Sequence, residues 1–346
     1  MKLEVSKELF GPLWEFIEDD KVTDIKWNGT NLWINDLTKG RYLAKDIILE
    51  DNFLKILLNK IANSVNENFN ISKPSLKAET DELRIQAEHN SISGDDKLAF
   101  AIRKTPSVSR LKDQNLVREG YIDHVTNELL PCLMHSRLSG IITGDVGSGK
   151  TELEKYLVGF IKDEDGIISV EDTLEMKLKK IYPDKDIYSM KVSDGFDASD
   201  AIKDALRLMT KWIILSEARG REVIEVIEGA STGCSALTSI HAENVWEIPD
   251  RIMNMAKDYA HKGFENDIYT FFDYAIKVKA DITKDGIKRK IDQICFFDRN
   301  NKVNSTVMFM LNGKLTKNPI PERILYKFMM NNEKKFLSLY KDIITG

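Results

Sequence analysis

Cysteine is scarce. The 346 residues include three, Cys132, Cys234 and Cys295, and they lie far apart. No C-x-x-C pair exists, which argues against a zinc ribbon, and an odd set of scattered thiols fits a reducing compartment. Long apolar runs are missing too. No stretch approaches the ~20 apolar residues needed to cross a bilayer. The opening MKLEVSKELFGPLWEF carries acidic residues and no apolar core, so it does not read as a signal peptide. A cytoplasmic location is expected, with docking on a membrane complex left open. There is no basic excess: 50 Lys and Arg stand against 55 Asp and Glu, a net charge of −5. That argues against a chain built to coat nucleic acid, although a local basic groove stays open. No repeat or low-complexity tract stands out. What remains, 42% hydrophobic and 30% charged, is ordinary for a soluble globular protein, and the length suggests two domains.

The first hundred residues read as mixed α and β. In KVTDIKWNGTNLWIND the apolar residues Ile25, Trp27, Leu32 and Ile34 alternate on either side of Asn28-Gly29, a tight-turn signal. Residues 52–65 place Leu54, Leu57, Leu58, Ile61 and Val65 on one helical face. ELRIQAEH and LAFAIRKT read as strands. The polar, proline-containing stretch 105–116 reads as a linker. It divides a smaller α+β domain, 1–108, from a larger one, 109–346. A helix is expected over 120–137.

From residue 139 the rhythm changes. GIITGD, GIISVEDTLE, WIILSEARG and ALTSIHAEN are short apolar runs that each end in polar residues. Continuous apolar strands separated by helical segments imply a buried parallel sheet, so the larger domain reads as α/β. Ligands gather at the carboxyl ends of such strands, and these four polar ends are candidates for one site. Beyond them, AIKVKADI and KIDQICFFD read as strands with DGIKR as the turn, and residues 321–344 read as one long helical tail docked on the core.

The pattern G-x-x-x-x-G-K-[ST] is filled by Gly144, Asp145, Val146, Gly147, Ser148, Gly149, Lys150 and Thr151, between a strand and a helix. Glycines let successive N–H groups turn inward around a phosphate, and a helix N-terminus adds positive potential. Such a loop binds ATP or a related nucleotide. Lys150 would reach the β- and γ-phosphate oxygens and Thr151 would hold Mg²⁺. Glu217, directly after a buried strand, suits orienting or deprotonating the attacking water, or alternatively is a surface glutamate. Glu171 and Asp172 suit a metal-bound water or the metal's surroundings, with an N-cap role for Asp172 or Thr173 as the alternative. Thr151, Glu171 and Glu217 form the expected metal set. His241 suits a γ-phosphate sensor or polar relay, or a structural histidine. Arg84, Arg103, Arg207 and Arg219 could stabilise phosphate charge, or simply be solvated or salt-bridged.

Taken in order, GDVGSGKT, ISVEDTLEM, IILSEARGREVIEVIEGASTG and ALTSIHAEN resemble the phosphate loop, acidic box, Walker B segment and histidine box of the secretion-ATPase superfamily. The resemblance spans about residues 20–300 and is closest to the tight-adherence and conjugative type IV branch. It implies a RecA-like P-loop ATPase domain with a smaller N-terminal α+β domain that caps the nucleotide. ELRIQ and FAIRKTPS match the family's two arginine-bearing strands, which implies nucleotide contacts for Arg84 and Arg103. It further implies a homo-oligomeric ring, a hexamer in family terms, working with inner-membrane secretion or pilus platform proteins, without direct nucleic-acid contact. Four departures from the family pattern stand out. Glu152 replaces a second Thr and puts a negative charge near the phosphates unless the helix turns it away. Ser216 replaces a Gly, Lys211 and Trp212 stand where an Asp is common, and TGC replaces TGH at Cys234.

The expectation is an ATP-hydrolysing motor subunit of type IV secretion, conjugation or pilus assembly. A nucleotide-gated scaffold with little turnover and a RecA-like nucleic-acid motor are the alternatives. A P-loop kinase fits less well, because nothing after the His241 strand resembles an acceptor-binding lid.

Overall fold

A computed structural model describes residues 4–283 and 286–345. The chain divides into two compact units: residues 1–107 with 281–288, and residues 108–280 with 289–346.

The first unit is built on a six-stranded antiparallel sheet. Its strands are β1 (Val22–Trp27), β2 (Leu32–Asp36), β3 (Gly40–Leu43), β4 (Ser75–Glu79), β5 (Leu83–Glu88) and β6 (Ala99–Lys104). They lie in the order β3-β2-β1-β6-β5-β4. The period-2 pattern does what it predicts: Ile25, Trp27, Leu32 and Ile34 all point into one core. The Asx geometry at Asn28, whose side chain accepts from Thr30 and Asn31 N–H, closes the loop between β1 and β2. The helix Asp51–Ser64 buries Leu54, Leu57, Leu58 and Ile61, the face its spacing marks.

The second unit carries a nine-stranded sheet. To it belong β7 (Gly140–Thr143), β8 (Ile167–Glu171), β9 (Ile187–Lys191), β10 (Trp212–Leu215), β11 (Ser235–Ile240), β12 (Tyr274–Thr283), β13 (Gly286–Asn300), β14 (Val303–Leu311) and β15 (Lys314–Leu315). The order is β15-β14-β13-β12-β7-β11-β10-β8-β9. From β12 to β9 every neighbouring pair is parallel. The continuous apolar runs now have a reason. Ile142, Trp212, Ile214 and Ile276 feed the core on one face, and their neighbours Ile141, Ile213, Leu215 and Ala275 feed the other. Helices cover both faces, the doubly wound arrangement of an α/β domain. Each fully buried Ile or Leu contributes about 1.5–3 kcal/mol, so this two-sided burial is what holds the parallel strands together.

Three local expectations change. The helix expected over 120–137 runs His124–His135, because the Asp123 carboxylate caps it by accepting from Val125 and Thr126 N–H. The turn expected at DGIKR is not there for its described part: Gly286–Arg289 already belong to β13, and Asp285 lies outside the described residues. Gly286 is glycine for a steric reason, since a Cβ there would sit 1.6 Å from the Thr38 carbonyl oxygen at φ +114°. The C-terminal tail is two helices, Glu322–Met330 and Lys334–Thr345. Asn332 takes φ +63° and breaks the run, and Phe328 then packs edge-on against Phe336.

Candidate nucleotide site

The carboxyl ends of β7, β11, β10 and β8 are consecutive in the sheet. The loop after β7 is the glycine-rich one. Gly144, Gly147 and Gly149 take φ of +145°, +78° and +104°. At Gly144 a Cβ would meet the Val278 carbonyl oxygen at 2.2 Å, so the chain can leave the sheet there only without a side chain. The helix Lys150–Val158 follows, with its first N–H groups at the loop. Asp145, Val146 and Gly147 are exposed, while Ser148 is buried and Thr151 half-buried. The Lys150 amine donates to the carbonyl oxygens of Gly144 at 2.7 Å and Asp145 at 3.3 Å. Burial holds it below the usual lysine range, and the nearby charges of Glu217, Glu154 and Asp145 oppose that shift.

Two hydroxyls fasten the neighbouring strand ends together. Thr143 Oγ1 both donates to the Ala242 carbonyl and accepts the Ala242 N–H, which pins the His241 segment beside the loop. Ser239 Oγ donates to the Ser216 carbonyl, and Ala218 N–H bonds the Ser239 carbonyl, which fixes the Glu217 segment. On this frame four side chains meet. His241 Nε2 lies 2.8 Å from Glu217 Oε1. Arg219 donates through Nε and Nη2 to Glu217 Oε2 at 2.9 and 2.6 Å, and through Nη1 to Asp172 Oδ2 at 2.8 Å. Asp172 is therefore an ion-pair partner and not a helix cap: the next helix begins at Leu178.

Glu171 behaves differently. It is 1% exposed, and its Oε2 accepts N–H groups from Glu175 and Met176 at 2.9 Å each. Burial pushes its carboxyl up to about 7 against those two hydrogen bonds. It closes the loop that follows β8, with Asp172 outside it. The Glu152 carboxylate does not stand unpaired. Its oxygens accept from Lys155 Nζ at 3.0 Å and from the Arg110 N–H at 3.0 Å. So the extra negative charge is already engaged.

The structure does not bring Arg207 to these residues. It precedes β10, at the amino end of the strand whose carboxyl end carries Glu217, and it pairs with Asp204 at 2.9 Å. Arg84 and Arg103 belong to the first unit, where they stand directly opposite on β5 and β6, and Arg103 Nε donates to Asp24 Oδ1 at 2.9 Å. Glu154, one turn beyond Lys150, escaped the sequence reading. It is fully buried, and burial holds its carboxyl well above the usual range, against the opposing charge of Lys150. The one sequence signal was its i+4 spacing from Lys150.

Residues 81–328, well over half the chain, match the family described as type II/IV secretion system protein. The chain belongs to that family. Among curated relatives, an uncharacterized protein of Bacillus anthracis is 29% identical over 268 residues, 76% of this chain and 60% of that one. A putative conjugal transfer protein of Mycobacterium tuberculosis is 27% identical over 141 residues, 40% of each chain. The chain thus spans less than two thirds of these relatives' own lengths. Protein VirB11 of Rhizobium radiobacter is 29% identical over 185 residues, 49% of this chain and 53% of that one. The fold is that of the solved Legionella pneumophila ATPase DotB, with TM-score 0.65 over 100% of this chain and 89% of that one at 15% identity. The pilus retraction motor PilT, solved with bound ADP, gives 0.59 over 97% and 89% at 18% identity.

Proposed function

We propose that this chain is an ATP-hydrolysing motor subunit of a type IV secretion, conjugation or pilus-assembly system. One observation carries the reading. Glu217, the carboxylate at the tip of β10, has both oxygens held, by His241 and Arg219, while its charge acts on Lys150 of the phosphate loop. A carboxylate so held, within electrostatic range of the loop, suits a base that positions water.

The residues fit a triphosphate with Mg²⁺. The Lys150 amine rests on two loop carbonyls that phosphate oxygens can replace, and a Cβ at Gly147 would meet nothing within 4 Å, so the loop's mouth is open. Thr151 and the carboxylates nearby are hard oxygen donors of the kind Mg²⁺ takes. When bound, the ion neutralises charge on the phosphate oxygens. Thr151 would hold it and Glu217 would orient water, with His241 and Arg219 orienting Glu217 and Asp172 fixing Arg219. Glu171 keeps the acidic loop in shape. On the family resemblance, Arg84 and Arg103 of the first domain, 1–108, would contact the nucleotide as a cap on the ATPase domain, 109–346. Loss of the γ-phosphate loosens that cap, and domain motion in a homo-oligomeric ring, a hexamer, becomes work on inner-membrane platform proteins. The subunit acts at the cytoplasmic side of the membrane through those partners, without direct nucleic-acid contact. Among the described residues no helix is long and apolar enough to cross a membrane.

The test is ATPase activity of the wild type against Glu217→Gln, with solution mass measured with and without nucleotide. Loss of turnover with retained ATP binding, and a nucleotide-dependent oligomer, are expected. Equal rates remove the assigned base and favour a nucleotide-gated scaffold. A strict monomer under all conditions overturns the ring.

A further inference from the structure

Two arginines that no motif marks converge on the phosphate loop. Arg289, on β13, donates Nε to the Gly147 carbonyl at 3.3 Å, and its Cδ would lie 3.5 Å from a Cβ at Gly149. Arg110 is tied to the first turn of the loop's helix, through its backbone N–H on Glu152. The two guanidinium groups feel each other: burial first, and then the charge of Arg110, hold Arg289 below the usual arginine range, with Tyr121 and Glu152 acting the other way. Glu152 is the carboxylate in this group, and its second oxygen is taken by Lys155, which is 3% exposed.

Two guanidinium groups brought together in a half-buried place beside the loop suit a further anion. Two unpartnered atoms say where it goes. Arg110 Nη2 is buried and has no acceptor among the described residues. The hydroxyl of Tyr121, a residue only 6% exposed, has no hydrogen-bond partner either, and it lies within electrostatic range of both Arg289 and Glu152. Buried polar atoms are nearly always satisfied, so a pair of orphans beside two guanidinium groups marks an absent acceptor.

We propose that Arg110, Arg289 and the Tyr121 hydroxyl form a second anion cradle, which binds the α- and β-phosphates of the nucleotide opposite the loop's own amides. The placement fixes which phosphates. Gly147, Gly149 and Glu152 belong to the amide-lined stretch that takes the α- and β-groups in such loops. The groups suited to the γ-position, Glu217, His241, Arg219 and Asp172, meet instead at the tips of β10, β11 and β8. The cradle also gives Glu152 a purpose: by accepting the Arg110 N–H it fastens the segment that carries one of the two arginines. The proposal rests on the reading that the loop takes a nucleotide.

The experiment is calorimetric titration of the full chain with ADP, ATP, GDP and GTP in the presence of Mg²⁺, for wild type, Arg110→Ala, Arg289→Ala, Arg289→Lys and Lys150→Ala, with melting curves to verify folding. Each arginine-to-alanine change should weaken binding about tenfold, the size of one charge-assisted contact. The loss should be equal for ADP and ATP and equal for adenine and guanine nucleotides, and Arg289→Lys should recover part of it, since charge is kept and the fork is lost. Should Arg289→Ala fail to fold, Arg110→Ala and Arg289→Lys carry the test. Affinities within about twofold of wild type, with Lys150→Ala still losing binding, overturn the cradle and leave the nucleotide reading intact. A loss confined to triphosphates would place the arginines at the γ-group, and one confined to adenine nucleotides would place them at the base; either overturns the proposal. No binding by the wild type overturns both readings together.

Discussion

His241 Nε2 lies 2.8 Å from Glu217 Oε1, across the ends of two adjacent parallel strands. The distance is set by the backbone, because Ala218 N–H bonds the Ser239 carbonyl and Thr143 pins Ala242. A histidine so held fixes the direction of one carboxylate oxygen. His241→Ala should therefore lower kcat by about 10²-fold while ATP affinity stays near the wild-type value, since the side chain acts on the water-positioning group and not on the phosphate cradle. Steady-state kinetics beside equilibrium binding checks this. An unchanged kcat would return His241 to a structural role.

Arg219 bridges Glu217 and Asp172 from an exposed position: the side chains of Arg219 and Asp172 are 64% and 62% accessible. Exposed pairs of this kind contribute less than about 1 kcal/mol to folding. Asp172→Ala should leave the unfolding free energy almost unchanged and still lower turnover several-fold, through a freed Arg219. Urea unfolding and ATPase assays on the same preparation separate the two effects. A stability loss of several kcal/mol would show that the network is part of the fold instead.

Much of this geometry is visible in the sequence because strand direction is. A short apolar run followed by polar residues says that the polar residues stand at a carboxyl end, and parallel pairing brings such ends side by side. Gly144, Asp172, Glu217 and His241 all follow their strands. The same logic accounts for Arg207, which precedes its strand and so lies at the opposite end of β10. What the sequence withholds is pairing across long separations. Arg289 stands 142 residues from Gly147, and Glu152 finds Arg110 at a separation of 42. Neither position carries a periodicity or motif. Glu154 is hidden for another reason: a glutamate in a helix ordinarily faces water, and only the packed sheet shows that this one does not. The break between the last two helices was written locally, in Asn331-Asn332, since asparagine accepts left-handed backbone at low cost.

Glu152 and Lys155 form a pair on the first turns of the loop's helix, with Lys155 nearly inaccessible. Removing the carboxylate leaves a buried ammonium without its counter-ion, which costs about 3 kcal/mol. Glu152→Ala should thus lower the unfolding free energy from urea denaturation by that amount, and Glu152→Ala combined with Lys155→Met should recover most of it. Equal stabilities for the single and double variants would mean that water already serves Lys155.

Glu171 gives the pH dependence. Its carboxyl is ordinarily near 4.5 and is pushed up to about 7 here, chiefly by burial. A raised folded value means that the native state holds the proton more tightly than the unfolded chain. The stabilisation is then fully present below about 4.5 and is lost as pH rises through about 7, amounting to about 3 kcal/mol across that window. Glu154, whose carboxyl is also raised by burial, acts in the same direction. Wild-type unfolding free energy should fall as pH rises from 5 to 8, after allowance for the other groups. Glu171→Gln should fall less steeply, because a neutral amide can still accept the Glu175 and Met176 N–H groups and has no proton to lose. Parallel curves for the two proteins would show that the Glu171 carboxylate is solvated or compensated, and the folded loop after β8 would then owe nothing to its protonation.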